Sequence, residues 1–465
     1  MASSAPPAKS AEEFLCLHFV FLHHGYHGRA ADFNYLSQIA ENALRSKHGV
    51  ETHAWPHFVF IHPHGSDRLR TEEGVLACAR RYIDHACAII SKTLSSPRRN
   101  EGDSGSDGRI AAADTAADAA PVELHFSAVG HSMGGLILRA ALPHIMRRVE
   151  ELVSQTPQVY SVQWDTFCTM AAPHLGVHYM RSPFMTFLGG NVGHLVSPAI
   201  ADLFAKNTLL WHDLVSGESL GAWARFKRRV LINAVNDGTV LVYSSSFVLP
   251  VSVRERIGAA VPPSYTAPAE TPVVPQNEGE PKGSAVADAV RGPSHDNDPP
   301  DSTTMMSLDV PNTDASVVHL AKHGIYCASS LEGLQCNAYE LKELSEELWP
   351  SEVLPEQRAL AERILRGVGS LELHLIDFRP LRDAPLECLP DHVAKARAEL
   401  SLCGRVMTHL GAHKFSHAAM ACKSPFYYPA FFGLVPEYIV TDLLGIPLMP
   451  DKLPMGAKDA AASPV

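Results

Sequence analysis

An α/β fold with a mostly parallel central sheet and helices on both faces is the architecture this sequence predicts, and three observations carry it. Short apolar runs of β character, at 15–22, 58–62, 124–129 and 164–170, alternate with helical patterns along the first half of the chain. Glycine-rich turns close two of those runs, His23-His24-Gly25-Tyr26-His27-Gly28 after the first and Gly130-His131-Ser132-Met133-Gly134-Gly135 after the third. Low-complexity segments interrupt the ordered pattern rather than extend it.

The third run organises the rest. Gly-x-Ser-x-Gly between an apolar strand and an apolar helix start is the nucleophile elbow of α/β-hydrolases, where the serine occupies a strained turn and its neighbours must lack side chains. Ser132 is therefore the candidate nucleophile. A Gly-Ser turn without chemistry would have the same letters, but it would not require a strand before it and a helix after it.

The first run leads into its glycine loop and then into a helical pattern at about 31–47. In a hydrolase such a loop donates one backbone N–H to the oxyanion hole and the residue after the nucleophile donates the other, which makes Tyr26 and Met133 the natural pair. A plain βα turn is the alternative. The strand at 58–62 precedes a helix at 71–94, with Val75, Ala79, Ile83, Ala86 and Ile90 on one stripe. Residues 95–121 are rich in Ser, Gly, Asp and Ala and read as a surface insertion. Beyond the elbow, Pro143 should end or kink the helix that contains it.

After the strand at 164–170 comes Ala172-Pro173-His174-Leu175-Gly176, in which His174 reads as structural, and then a loop to 203 holding Phe184, Met185, Phe187, Leu188, Leu195 and Val196. That loop is either a lid or acyl-chain wall above the sheet, or ordinary core. Residues 231–235 form a late strand ending in Asn236-Asp237-Gly238, where the acid of a triad belongs; Asp237 is the candidate, against an Asx-type turn residue. Helical patterns at 337–348 and 355–367, a strand at 371–378 and a closing helix at 436–444 complete the order. Three histidines compete for the base: His409, His413 and His417. A base should follow a strand and sit where the chain turns, and His413 comes just after Gly411; Asp377 competes with Asp237 as acid.

Composition limits the partners. Of 465 residues, 39 are basic and 50 acidic, a formal charge of −11, which argues against nucleic acid and against electrostatic docking on an anionic membrane. Much of that charge sits in 257–316, which carries nine acids, two bases and ten prolines and cannot bury enough surface to fold. Nine cysteines without a C-x-x-C pair fit free thiols in a reducing, cytoplasmic setting. No secretory signal and no apolar window of 18 residues is visible, so no membrane span is expected. The 25 histidines show no metal-binding spacing, and no metal or organic cofactor is implied.

Several of these stretches together resemble the lipase-like putative serine esterase family of α/β-hydrolases, a eukaryotic group long carried as a domain of unknown function. The matching words are HHGYHG, GHSMGGLILR, AAPHLG, RFKRRVLINAVNDGTVLVYSS and GAHKF, covering roughly 14–250 and 405–445. Two departures stand out. His23 replaces an apolar residue before the loop's His-Gly, and an acidic helical stretch at 383–402 precedes the last word. Carried over residue by residue, the resemblance implies Ser132 as nucleophile, Asp237 as acid and His413 as base, in an esterase or lipase acting on acyl lipids.

The expected architecture is a flexible 1–13, a first part of the hydrolase core at 14–252, the disordered insertion at 257–316, a second part of the core at 317–450 and a flexible 451–465. The expected partner is a small-molecule or lipid ester, with peripheral contact to a membrane or lipid-droplet surface left open. A hydrolase-fold scaffold without turnover and an acyltransferase using the same triad are the alternatives.

Overall fold

The computed structural model describes residues 15–47, 57–95, 121–178, 197–234, 236–247, 325–328, 354–369, 371–376, 391–423 and 432–447, together with positions 192, 193, 195 and 378. The predicted insertions at 95–121 and 257–316 and the predicted helix at 337–348 lie almost wholly outside these residues.

Among the described residues, seven strands form one sheet: β1 (Leu15–His23), β2 (His57–Ile61), β3 (Val122–His131), β4 (Val159–Met170), β5 (Arg228–Ala234), β6 (Ile325–Ala328) and β7 (Glu372–Ile376). Their order is β2-β1-β3-β4-β5-β7-β6, every pairing being parallel except that of the edge strand β6 with β7. β1 from Leu17 and β3 from Phe126 onward are buried on both faces, which is why these parts of their sequences are mostly apolar or small. Phe19 and Phe21 stack on Phe126 at 5.4 and 5.8 Å between ring centroids, and Phe126 stacks on Trp164 at 4.5 Å. Helix α2 (Val75–Ser95) covers this aromatic face, with Tyr82 edge-on to Phe21 and its hydroxyl donating to the Ile61 carbonyl at 3.0 Å. Helix α3 (Met133–Ser154) packs beside it. Helix α1 (Asn34–Lys47) and the closing turns at 434–443 cover the other face, joined where Tyr35 donates to Glu437 at 2.8 Å.

Among the boundaries that differ from the sequence expectation, two have a clear physical cause. Thr71 and the glutamates after it belong to a 3₁₀ turn, Arg68–Glu73, and the helix begins only at Val75, because Gly74 at φ 93° breaks the helical path. The Val75 N–H donates to Asp202 Oδ2 at 2.6 Å, a cap supplied from far along the chain and invisible in the local pattern. Pro143 does not end α3, which runs on to Ser154. The proline forfeits one backbone hydrogen bond, while Ala141, Leu142, Ile145, Met146 and Val149 hold the helix to the core on either side of it.

Several histidines are buried as neutral rings. Burial, aided by neighbouring positive groups, pushes His18 down to about 4 and His23 down to about 3. The unfolded chain binds these protons near pH 6.5 and the folded chain does not, so stability is full above that pH and falls as pH drops toward the folded values. The loss is on the order of 2 kcal/mol for each of the two at pH 5. His125, by contrast, is raised to about 10 by its hydrogen bonds to Asp165 and Cys16, so its stabilising effect is already complete below pH 6.5. A melting temperature that falls steadily from pH 6.5 to pH 5 is the expected result; a flat profile over that interval would contradict neutral burial.

Candidate active site

Ser132 stands between β3 and α3 with φ 56° and ψ −130°, a conformation that a side-chain-bearing residue keeps only where its surroundings enforce it. Its N–H donates to the Met170 carbonyl at 2.8 Å, and its own carbonyl accepts from the Gly135 N–H at 3.0 Å. The flanking glycines are required by close backbone approach. A Cβ on Gly130 would lie 2.6 Å from Gly135 Cα, and one on Gly134 would lie 2.1 Å from the His23 carbonyl oxygen. The elbow is thus wedged against the end of β1.

Asp237 is buried in the loop after β5. Its Oδ1 accepts from the Thr239 and Val240 N–H groups at 2.8 and 3.0 Å, an Asx-type turn, while Oδ2 accepts from His417 Nδ1–H at 2.7 Å. The turn fixes the carboxylate and leaves one oxygen for the imidazole. His417 Nε2 is 3.0 Å from Ser132 Oγ. Serine, imidazole and carboxylate therefore form one continuous hydrogen-bonded line.

The histidine in that line is not the one expected from the sequence. His413 is the last residue of a helix, Leu402–His413, and its ring stacks on His409 at 4.6 Å, so both belong to that helix. Gly411, which suggests a turn before His413, lies inside the helix. It is a packing glycine, since a Cβ there would meet the Phe432 ring at 2.6 Å. The chain turns after His413, and His417 is then presented by the short helix Ser416–Ala419. Asp377 falls outside the described residues.

Two neighbours hold this arrangement, and sequence reasoning missed both. His131 Nε2–H donates to the His417 carbonyl at 2.8 Å, and burial holds this imidazole well below its ordinary pKa, so it remains neutral. Asn236 Nδ2 donates to the Ala412 carbonyl at 2.7 Å and the His413 carbonyl at 3.3 Å, fastening the acid loop to the helix that leads to His417. Each is chain-adjacent to a triad candidate, the one signal that could have marked it.

The glycine loop after β1 reaches the serine. A Cβ on Gly25 would stand 2.6 Å from Ser132 Cβ and 3.0 Å from its Oγ, and the Gly28 N–H donates to the Gly25 carbonyl at 3.0 Å, closing a turn around Tyr26 and His27. The Tyr26 hydroxyl, His27 Nε2 and the Ser197 hydroxyl all hydrogen-bond to the Glu72 carboxylate, which anchors the loop. Met133 opens α3, in the first turn, where N–H groups lack helical acceptors. His23, the departure from the family pattern, carries no charge there: it is fully buried, and Nδ1–H donates to the His24 carbonyl at 2.8 Å. His174 is structural, as expected, its ring held between Thr169 Oγ1 and Arg139, each at 3.1 Å.

Of the apolar loop expected near the site, Phe184, Met185, Phe187, Leu188 and Val196 lie outside the described residues, while Val192 and Leu195 are exposed. No helix among the described residues is long and apolar enough to cross a membrane.

A parallel sheet that delivers a glycine-flanked serine on a strand-to-helix turn is the architecture of the α/β-hydrolases. Residues 16–247, just under half of the chain, match the family described as "Putative serine esterase (DUF676)". A Saccharomyces cerevisiae (strain ATCC 204508 / S288c) protein named "Putative lipase YDL109C" is 33% identical over 129 residues, 26% of this chain and 18% of the relative. The chain thus spans less than a fifth of that relative's length. Among solved structures, Phospholipase PlaB from Legionella pneumophila, in complex with thio-NAD, is similar over 47% of this chain and 38% of its own, at 13% identity and a TM-score of 0.26. A lipase-esterase related protein from Clostridium acetobutylicum ATCC 824 is similar over 50% of this chain and 79% of its own, at 13% identity and a TM-score of 0.23.

Proposed function

We propose that the chain is a serine esterase that hydrolyses carboxylic esters through a covalent acyl-enzyme, with Ser132 as nucleophile, His417 as general base and Asp237 as the acid that orients it. The observation that carries the reading is the hydrogen-bonded line from Ser132 Oγ through His417 to Asp237, at 3.0 and 2.7 Å. In this mechanism Ser132 Oγ attacks the ester carbonyl while His417 Nε2 takes its proton and then gives it to the leaving alkoxide. Water repeats the sequence on the acyl-enzyme. Asp237, its other oxygen already held by two backbone N–H groups, keeps the imidazole in the Nδ1–H tautomer and stabilises the transient imidazolium.

The oxyanion of the tetrahedral intermediate is assigned to the backbone N–H groups of Met133 and Tyr26, a contribution of about 3 kcal/mol per donor in comparable enzymes. The contact of Gly25 with Ser132 supports the second of these. An apolar acyl group, as in a lipid ester, is the proposed substrate class; it rests on the name of the yeast relative and on the exposed Val192 and Leu195.

Labelling with a fluorophosphonate tests the reading. The wild-type protein should react at Ser132 and lose esterase turnover in step, and Ser132→Ala should do neither while melting at an unchanged temperature. Unlabelled wild-type protein would favour a scaffold on the same fold, and labelling without net hydrolysis would favour acyl transfer to an alcohol other than water.

A further inference from the structure

The sheet face opposite the aromatic stack carries a polar cluster near the N-terminal ends of its strands. Cys16 lies opposite Glu123 and His18 opposite His125 in the β1–β3 pairing, so strand alternation puts Cys16, Glu123 and His125 on one face. One donor atom from each, a thiol sulfur, a carboxylate oxygen and a ring nitrogen, all lie within 4.8 Å of one another. His125 Nε2 is 3.5 Å from Glu123 Oε2. On the other side of the ring, Nδ1–H donates to Asp165 Oδ2 at 2.5 Å, and the second Asp165 oxygen accepts from Lys227 Nζ at 2.7 Å. The His125 and Glu123 side chains are 20% and 35% exposed, so solvent reaches the space between them.

We propose that Cys16, Glu123 and His125 bind a divalent transition-metal ion of the zinc class, with water in the fourth position and Asp165 as the positioning residue for His125. The donor set selects the metal: thiolate and imidazole suit zinc or cobalt, whereas calcium and magnesium take oxygen alone. Tetrahedral zinc holds its donors ~3.3–3.8 Å apart, so side-chain rotations of about 1 Å close the site without moving a strand. Asp165 stands where a metal-bound imidazole keeps its carboxylate: it holds the proton on Nδ1, so that an incoming ion displaces only the Nε2 proton, on the side of the ring that faces Glu123. Charge also balances, one thiolate and one carboxylate against a divalent ion, with Lys227 answering Asp165. His18 takes no part, its Nε2 being engaged with Ser127 Oγ at 2.9 Å. Since His125 and Ser132 are separated by most of β3, about 20 Å at the rise of a strand, this ion would tie β1 to β3 and would not touch the ester.

The test uses the full chain, stripped with a chelator and titrated with cobalt(II) chloride and then zinc chloride. One equivalent of cobalt should produce a thiolate-to-cobalt charge-transfer band that zinc abolishes. Cys16→Ser should weaken binding at least about 100-fold, and Asp165→Asn about 10–100-fold. In unmodified protein, which needs no variant to fold, zinc should slow alkylation of Cys16 by iodoacetamide and leave the exposed Cys403 unaffected. Absence of the charge-transfer band, undiminished affinity in Cys16→Ser, or an alkylation rate at Cys16 indifferent to zinc would each overturn the proposal and leave the cluster an ion-pair network.

Discussion

Replacing His417 by alanine should lower kcat on a short-chain aryl ester by at least about a thousandfold, while His413→Ala and His409→Ala each cost less than about tenfold. The difference comes from position. His417 Nε2 is the group at 3.0 Å from Ser132 Oγ, whereas the ring of His413 lies against His409 on the preceding helix. Because His417 also holds Asp237, its loss leaves a buried carboxylate without its imidazole, so a modest drop in stability should accompany the loss of turnover. Titrating the active serine with a fluorophosphonate separates the two effects, since a folded but baseless enzyme reacts slowly and an unfolded one does not react. If His413→Ala proved the inactive variant and His417→Ala remained active, the proposed triad would be wrong.

Gly134→Ala is expected to destabilise the protein by at least about 3 kcal/mol and to abolish activity, although it adds only a methyl group. The Cβ would be placed 2.1 Å from the His23 carbonyl oxygen and 2.5 Å from that of His24. These are backbone atoms of β1 and the glycine loop after it, which cannot rotate aside as a flexible side chain could. Gly221→Ala is the matched control: it sits within the helix Gly217–Ala224, its added Cβ would meet nothing within 4 Å, and it should stabilise by up to about 1 kcal/mol. Urea unfolding of both variants measures the contrast. Near-equal midpoints would mean that the wedge between elbow and β1 is looser than described.

The contrast between these two glycines also explains what the sequence could reveal. Gly130, Ser132 and Gly134 are legible because strand, turn and helix are consecutive, so a local pattern encodes the local geometry. Asp237 is legible for the same reason, directly after β5. Gly411 misleads because its role is set by Phe432, which reaches it from 21 positions along the chain, and a glycine kept for packing looks the same in sequence as one kept for a turn. The Asp202 cap on α2 and the His131 contact with the His417 carbonyl are likewise long-range and leave no periodic trace. The strands β1, β3, β4 and β5, largely buried, are the opposite case: burial dictates most of their composition, and they are legible as apolar runs.

If Ser132 and His417 act as proposed, their separation of 285 positions bears on how and when the chain becomes reactive. The segment that matches the esterase family, residues 16–247, contains Ser132 and Asp237 but stops before His417. On the proposed mechanism, a nascent chain that has laid down β1 to β5 and the elbow on the ribosome would still be inert toward esters until the helix carrying His417 had emerged and docked against His131 and Asp237. On the same mechanism, a protease cut between Val240 and Ser416 that let the distal piece diffuse away would return the protein to that dormant condition, with the proposed nucleophile in place and no base to activate it.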